Sequence, residues 1–266
     1  MPLTTVAGTP VHFLDAGGGD PPVVLLHAFP LPAAMWGDQV EALARHRRVV
    51  APDLPGFGST PAPAEPRAAT IDDLAAVVAG LVDHLGIGPV VVGGLSMGGY
   101  VAFALLRRRP DLVAGLVLAD TRAGADTAEV AERRTAQQAQ AEAEGAAAVT
   151  EPMLGTLLSE ETRAERPAVV ERARSLMAAN RPDGIVAALE AMKGRPDATG
   201  ELAALDLPTL VVVGEHDGPS PPSEAEAMAT AIPGARLEVI PGAGHLSNLE
   251  RPELFTAALE TFLVRL

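Results

Sequence analysis

The stretch VVVGGLSMGGYVAF, Val90 to Phe103, decides the fold. Three successive valines read as a strand buried on both faces, the pattern of a parallel sheet. The small and apolar residues after Met97 read as a buried helix that starts at once. Between them stands a single hydroxyl, Ser96, with Gly94 two positions before it and Gly98 two after. A strand that turns directly into a helix strains its corner residue, and side chains two places to either side collide. Such a turn lifts the serine hydroxyl clear at the C-terminal edge of the sheet. It also directs the Met97 backbone N–H to a helix N-terminus, where negative charge is favoured. Other loops fit less well. Leu95 breaks the G-x-G-x-x-G of a dinucleotide loop, and no lysine follows to complete a phosphate loop. A glycine turn with no chemistry is the competing reading until partners for Ser96 are found.

Working outward, short apolar runs alternate with helical text. Pro22–Phe29, Arg48–Asp53, Pro89–Gly94, Gly115–Asp120, Thr209–Asp217 and Arg236–His245 read as strands of a parallel sheet. Thr4–Val6 and Val11–Leu14, around Gly8 and Pro10, read as an antiparallel hairpin leading in. Thr70 and Asp73 mark a capping-box start, followed by Leu74, Val77, Val78, Leu81, Val82 and Leu85 at helical spacing. Tyr100–Arg109, Pro222–Ala231 and Pro252–Leu266 read as further helices. This alternation predicts a doubly wound sheet with right-handed crossovers. From Thr121 to about Leu205 no strand is legible. Residues 122–200 are expected to form a helical cap inserted into an α/β core made of 1–121 and 201–266.

Composition narrows the function. The formal charge is −14, which disfavours phosphate backbones and anionic lipid surfaces. The absence of cysteine removes disulfides, thiolate metal sites and a cysteine nucleophile. Neither a secretory leader nor an apolar run of membrane-spanning length is evident, so a cytoplasmic protein with no nucleic-acid or membrane partner is expected. No feature of the sequence sets an oligomeric state.

A serine hydroxyl becomes nucleophilic when a base takes its proton and a third group orients the base. Of six histidines, only His245 combines a glycine-flanked loop with a place after the last strand, at the same sheet edge as Ser96. GEHD, after the preceding strand, offers Glu215 and Asp217. The order Ser96, Asp217, His245 is that expected of this topology. Asp217 as a simple turn residue is the bland alternative. Asp120, ending its own strand, is the reserve acid.

The chain resembles the α/β-hydrolase-fold family through Leu25–Pro30 (LLHAFP), Pro52–Thr60 (PDLPGFGST), GGLSMGGYVAF, VVVGEHD and Ile240–Glu253 (IPGAGHLSNLERPE). The resemblance implies an eight-stranded, mostly parallel sheet with Ser96 as nucleophile, His245 as base and Asp217 as acid. It also implies an oxyanion hole from the backbone N–H groups of Phe29 and Met97, although Ala28 stands where the family usually has glycine. His27 is then expected to brace the loop. Through Met35–Leu43 and GLSMGG, the chain is most similar to 3-oxoadipate enol-lactonases and small bacterial carboxylesterases. Serine at the corner argues against haloalkane dehalogenases and epoxide hydrolases, which use aspartate there.

The expected reaction is hydrolysis of a small, largely apolar ester or lactone through an acyl-enzyme, without metal or organic cofactor. Trp36, Tyr100, Met153, Leu154 and Leu157 are candidate pocket residues, with Phe29 and Leu158 beside them. Arg122 is the one candidate for binding a substrate carboxylate. The same triad serves carbon–carbon bond hydrolases and cofactor-free perhydrolases, to which Pro30 points. The fold also hosts ligand receptors with little or no turnover.

Overall fold

The computed structural model describes residues 2–6 and 8–266, with Met1 and Ala7 outside them. Eight strands form one sheet: β1 (Leu3–Val6), β2 (Thr9–Ala16), β3 (Val23–Leu26), β4 (Val49–Pro52), β5 (Val90–Leu95), β6 (Val113–Ala119), β7 (Thr209–Gly214) and β8 (Arg236–Ile240). Their spatial order is β1-β2-β4-β3-β5-β6-β7-β8. β1 and β2 pair antiparallel, and β2 pairs antiparallel with β4; every later pairing is parallel. The N-terminal hairpin therefore extends one edge of a parallel sheet.

The unbroken apolar runs follow from burial on both faces. Val24, Leu26, Val90, Val92, Leu116, Leu118, Val211 and Val213 enter the core on one side. Their neighbours Val23, Leu25, Val91, Val117, Leu210 and Val212 enter the core on the other. Successive strand side chains point to opposite faces, so neither face can be polar.

Helices cover both faces: α1 (Gly37–Leu43), α2 (Ile71–Leu85), α3 (Met97–Arg108), then α4 (Ala128–Glu144), α5 (Ala146–Thr150), α6 (Leu154–Leu157), α7 (Glu160–Glu165), α8 (Pro167–Ala178) and α9 (Pro182–Lys193), and finally α10 (Pro222–Ala231), α11 (Ser247–Glu250) and α12 (Pro252–Leu263). α2 begins as its sequence predicts. Thr70 Oγ1 accepts from the Asp73 N–H at 3.1 Å, and Asp73 Oδ2 accepts from the Thr70 N–H at 3.0 Å. Two boundaries differ from the sequence reading. α3 starts at Met97, not Tyr100, because Gly98 and Gly99 are chosen for close packing: a Cβ on Gly98 would strike the Leu26 backbone, and one on Gly99 the Thr121 side chain. α12 ends at Leu263, short of the chain end.

α4 to α9 lie between β6 and β7, the interval without a legible strand. α9 is buried along most of its length and packs on α4. Gln138, fully buried on α4, donates to the Val186 carbonyl at 3.0 Å and to Glu190 at 2.9 Å. A buried amide satisfied in this way fixes the register of the two helices. At the base of this segment, Asp126 pairs with Arg134 from α4 at 2.5 Å and with Arg195 just beyond α9. Arg195 also donates to the Gly124 carbonyl at 2.8 Å, and its guanidinium lies 4.1 Å over the Tyr100 ring.

Candidate active site

β5 runs between β3 and β6 and delivers Ser96 at its C-terminal end. Ser96 has φ 53° and ψ −112°, a left-handed conformation that a non-glycine residue adopts only when its surroundings impose it. Here they do. The Ser96 N–H donates to the Ala119 carbonyl at 2.9 Å, and Thr121 Oγ1 donates to the Ser96 carbonyl at 2.8 Å. A Cβ on Gly94 would meet the backbone of Gly98 and Gly99, which is why both small residues of the motif are needed.

His245 and Asp217 come from the loops after β8 and β7, and both are buried. His245 Nδ1 lies 2.9 Å from each Asp217 carboxylate oxygen. With the carboxylate on Nδ1, the ring carries its proton there and Nε2 is left free to accept one. Asp217 is itself held by the Ser220 N–H, which donates to Oδ1 at 2.8 Å. Glu215, the other carboxylate of GEHD, is exposed and accepts from the Gly242 N–H at 2.9 Å. It has no part in the histidine's hydrogen bonding.

Asp120 is occupied elsewhere. It is fully buried with φ 45°, accepts from the Gly214 N–H at 2.8 Å, and shares a short hydrogen bond with the Ser247 hydroxyl. Burial, followed by the nearby Asp217 charge, pushes its carboxyl well above the ordinary range. Asp120 thus sits beside the Asp217–His245 pair, among the described residues without a hydrogen bond to His245.

His27 braces the opposite loop. Its Nε2 accepts from the Leu54 N–H at 2.9 Å while its Nδ1 donates to the Ala28 carbonyl at 3.1 Å. Complete burial lowers its pKa to about 4, so the ring is neutral in that tautomer. Asp53 continues the brace, accepting from the N–H groups of Ala33 at 2.9 Å and Ser59 at 3.0 Å. The PDLPGFGS segment thereby fixes the loop carrying Phe29. Ala28 is fully buried and its N–H points at Met35 Sδ at 3.2 Å, so its methyl group is accommodated. Among the described residues, the Phe29 and Met97 N–H groups have no protein acceptor.

Ser96 and His245 open into a cavity of about 1180 Å³ between the sheet edge and α4 to α7. Phe29, Tyr100, Met153, Leu157 and Leu158 line it. Trp36 and Leu154 do not: Trp36 is buried 5.8 Å from Phe255 in the core, and Leu154 packs in that same core. Their aromatic and apolar character gave no means of telling wall from core. The cavity is also more polar than an apolar roof would be. Arg122, Arg133, Arg134 and Arg163 line it beside Asp126, Glu160 and Glu161. The Arg122 Nε is buried and, among the described residues, has no hydrogen-bond partner. Of this wall, sequence reasoning singled out only Arg122; it missed the rest because charged helical residues read by default as solvated. Among the described residues, no group of three or more His, Asp or Glu is placed to hold a metal ion. No helix of the described residues is long and apolar enough to cross a membrane.

Comparison with known proteins agrees with this architecture. The family described as alpha/beta hydrolase fold matches residues 21–252. A 3-oxoadipate enol-lactonase from Acinetobacter baylyi is 25% identical over 98% of this chain and 96% of its own. Among solved structures, a thermophilic esterase from Thermogutta terrifontis with malate bound superposes with a TM-score of 0.96 at 43% identity, covering 100% of this chain and 99% of its own. The enol-lactonase from Burkholderia xenovorans gives 0.90 at 32% identity, over 99% and 100%.

Proposed function

The chain belongs to the α/β-hydrolase-fold family, and we propose that it hydrolyses a small carboxylic ester or lactone through Ser96, His245 and Asp217. The observation that carries this reading is His245, held by Asp217, opening with Ser96 into one cavity. Ser96 Oγ attacks the substrate carbonyl carbon while His245 Nε2 takes the hydroxyl proton. The Asp217 carboxylate holds the ring tautomer and stabilises the imidazolium. The N–H groups of Phe29 and Met97 receive the developing oxyanion, each typically contributing about 3 kcal/mol. The imidazolium then gives its proton to the leaving oxygen. Water, deprotonated by the same histidine, then attacks the acyl carbon, and the imidazolium returns that proton to Ser96 Oγ as the acyl–Ser96 bond breaks. α4 to α9 serve as the cap.

Similarity to esterases and enol-lactonases supports this reaction class. The test is turnover of p-nitrophenyl esters, from acetate to long chain, by the wild type and Ser96→Ala. Turnover that disappears in the variant supports a serine esterase, and the preferred chain length sizes the cavity. No turnover from either folded protein would favour a carbon–carbon hydrolase, a narrow lactonase or a ligand receptor.

A second reading concerns the substrate. Arg122, which lines the cavity with Arg133, Arg134 and Arg163, favours an ester or lactone that carries a carboxylate over a wholly apolar one. A guanidinium offers a carboxylate paired, charge-assisted hydrogen bonds.

A further inference from the structure

Glu250 is a fully buried carboxylate outside the proposed triad, on the short helix α11 that follows His245. Its two oxygens accept from two backbone N–H groups: Gly244 on Oε1 at 2.8 Å and Ser159 on Oε2 at 2.8 Å. Gly244 immediately precedes His245. Ser159 precedes α7, in the segment that roofs the cavity. Among the described residues no guanidinium reaches the carboxylate; Arg166 and Arg251 donate instead to the Glu250 backbone carbonyl, at 2.8 and 3.3 Å.

The meeting of these segments is tight. A Cβ on Gly244 would lie 2.6 Å from the Ser159 nitrogen and 3.0 Å from Glu250 Oε1. The Leu246 N–H donates to the Leu157 carbonyl at 3.2 Å, and Ser159 Oγ donates to the Gly242 carbonyl at 3.1 Å. The loop that holds His245 is thus tied at residues 242, 244 and 246 to residues 157 and 159 of the roof, directly or through Glu250. Two convergent N–H donors call for an acceptor at both oxygens, which a carboxylate supplies and an amide does not. Burying a carboxylate is costly unless its oxygens are hydrogen-bonded, and here each accepts from a backbone N–H.

We propose that Glu250 is a positioning residue for His245, setting the histidine loop through the Gly244 N–H and seating the roof on it through the Ser159 N–H. This rests on the triad reading above, since a loop that carried no base would need no such setting. The carboxylate touches no reacting atom. A displaced imidazole would still orient on Asp217 but would meet the Ser96 proton at the wrong distance, and such misplacement is felt steeply in rate.

The experiment is steady-state p-nitrophenyl ester hydrolysis by Glu250→Gln and Glu250→Asp, with active sites counted by a fluorophosphonate. Glutamine keeps the length and turns an NH2 toward one N–H; aspartate keeps the charge but falls short of spanning both. The expected result is a kcat per labelled site reduced about ten- to hundredfold in each variant, with KM within about twofold. Unchanged kcat per labelled site in folded Glu250→Gln would overturn the proposal, even if fewer sites were labelled, because that pattern marks a structural role alone. Should Glu250→Gln not fold, Glu250→Asp decides by the same criterion. Failure of the wild-type Ser96 to label would instead strike the triad reading itself.

Discussion

His245 Nδ1 stands 2.9 Å from both carboxylate oxygens of Asp217, while the carboxyl of Asp120 is turned to Ser247 and the Gly214 N–H. Two acids end neighbouring strands, yet only one orients the histidine. Asp217→Asn should therefore lower kcat by about 10⁴, because the amide favours the wrong imidazole tautomer. Adding Asp120→Asn should cost little more. A double variant much slower than the single one would show that Asp120 can replace Asp217.

Ser96→Ala should abolish turnover, lowering kcat by about 10⁴ or more, with circular dichroism and Tm unchanged or raised. The left-handed backbone at this corner is held by Ala119 and Thr121 and does not depend on the hydroxyl. Activity retained in pure Ser96→Ala would remove the nucleophile assignment.

His27 and Asp120 make opposite contributions to the pH dependence of stability. His27 titrates near 6.5 when unfolded but at about 4 in the fold. The unfolded chain binds the proton first, so this contribution is complete above pH 6.5 and is lost as pH falls toward 4. Its full size is on the order of 3 kcal/mol. Urea unfolding of the wild type and His27→Gln between pH 7.5 and 4 should show a shallower fall in the variant. For Asp120 the native state holds the proton more tightly, so its contribution grows less favourable as pH rises above the ordinary carboxylate range. Asp120→Asn should have the higher Tm at pH 8, and the two proteins should converge toward pH 4.

Arg122→Met should separate the two substrate readings. For a carboxylate-bearing ester, the kcat/KM ratio to its neutral analogue should fall about tenfold or more, as expected when a charged hydrogen bond is lost. Equal effects on both substrates would assign Arg122 to packing.

Asp126 pairs with Arg134 and Arg195, and the Asp126 and Arg195 side chains are 3% exposed. Removing one partner leaves buried charge uncompensated. Asp126→Ala should destabilise the protein by about 3–5 kcal/mol in urea unfolding. A loss below about 1 kcal/mol would mean that water replaces the carboxylate.

The sequence by itself determined the sheet and its chemical edge. Strand runs and the glycine spacing at Ser96 are local signals, because hydrophobic periodicity and steric demand at a tight turn act over a few residues. The Thr70–Asp73 cap was legible for the same reason. Only the tertiary structure decided which side chains meet across long separations. Trp36 went to the core and Arg122 to the cavity wall. Asp120 turned to Ser247, 127 residues away, and Glu250 reached Ser159 across 91. Those pairings depend on how α4 to α9 settle over the sheet edge, and a helix rich in alanine, arginine and glutamate does not state which of its charges will be covered.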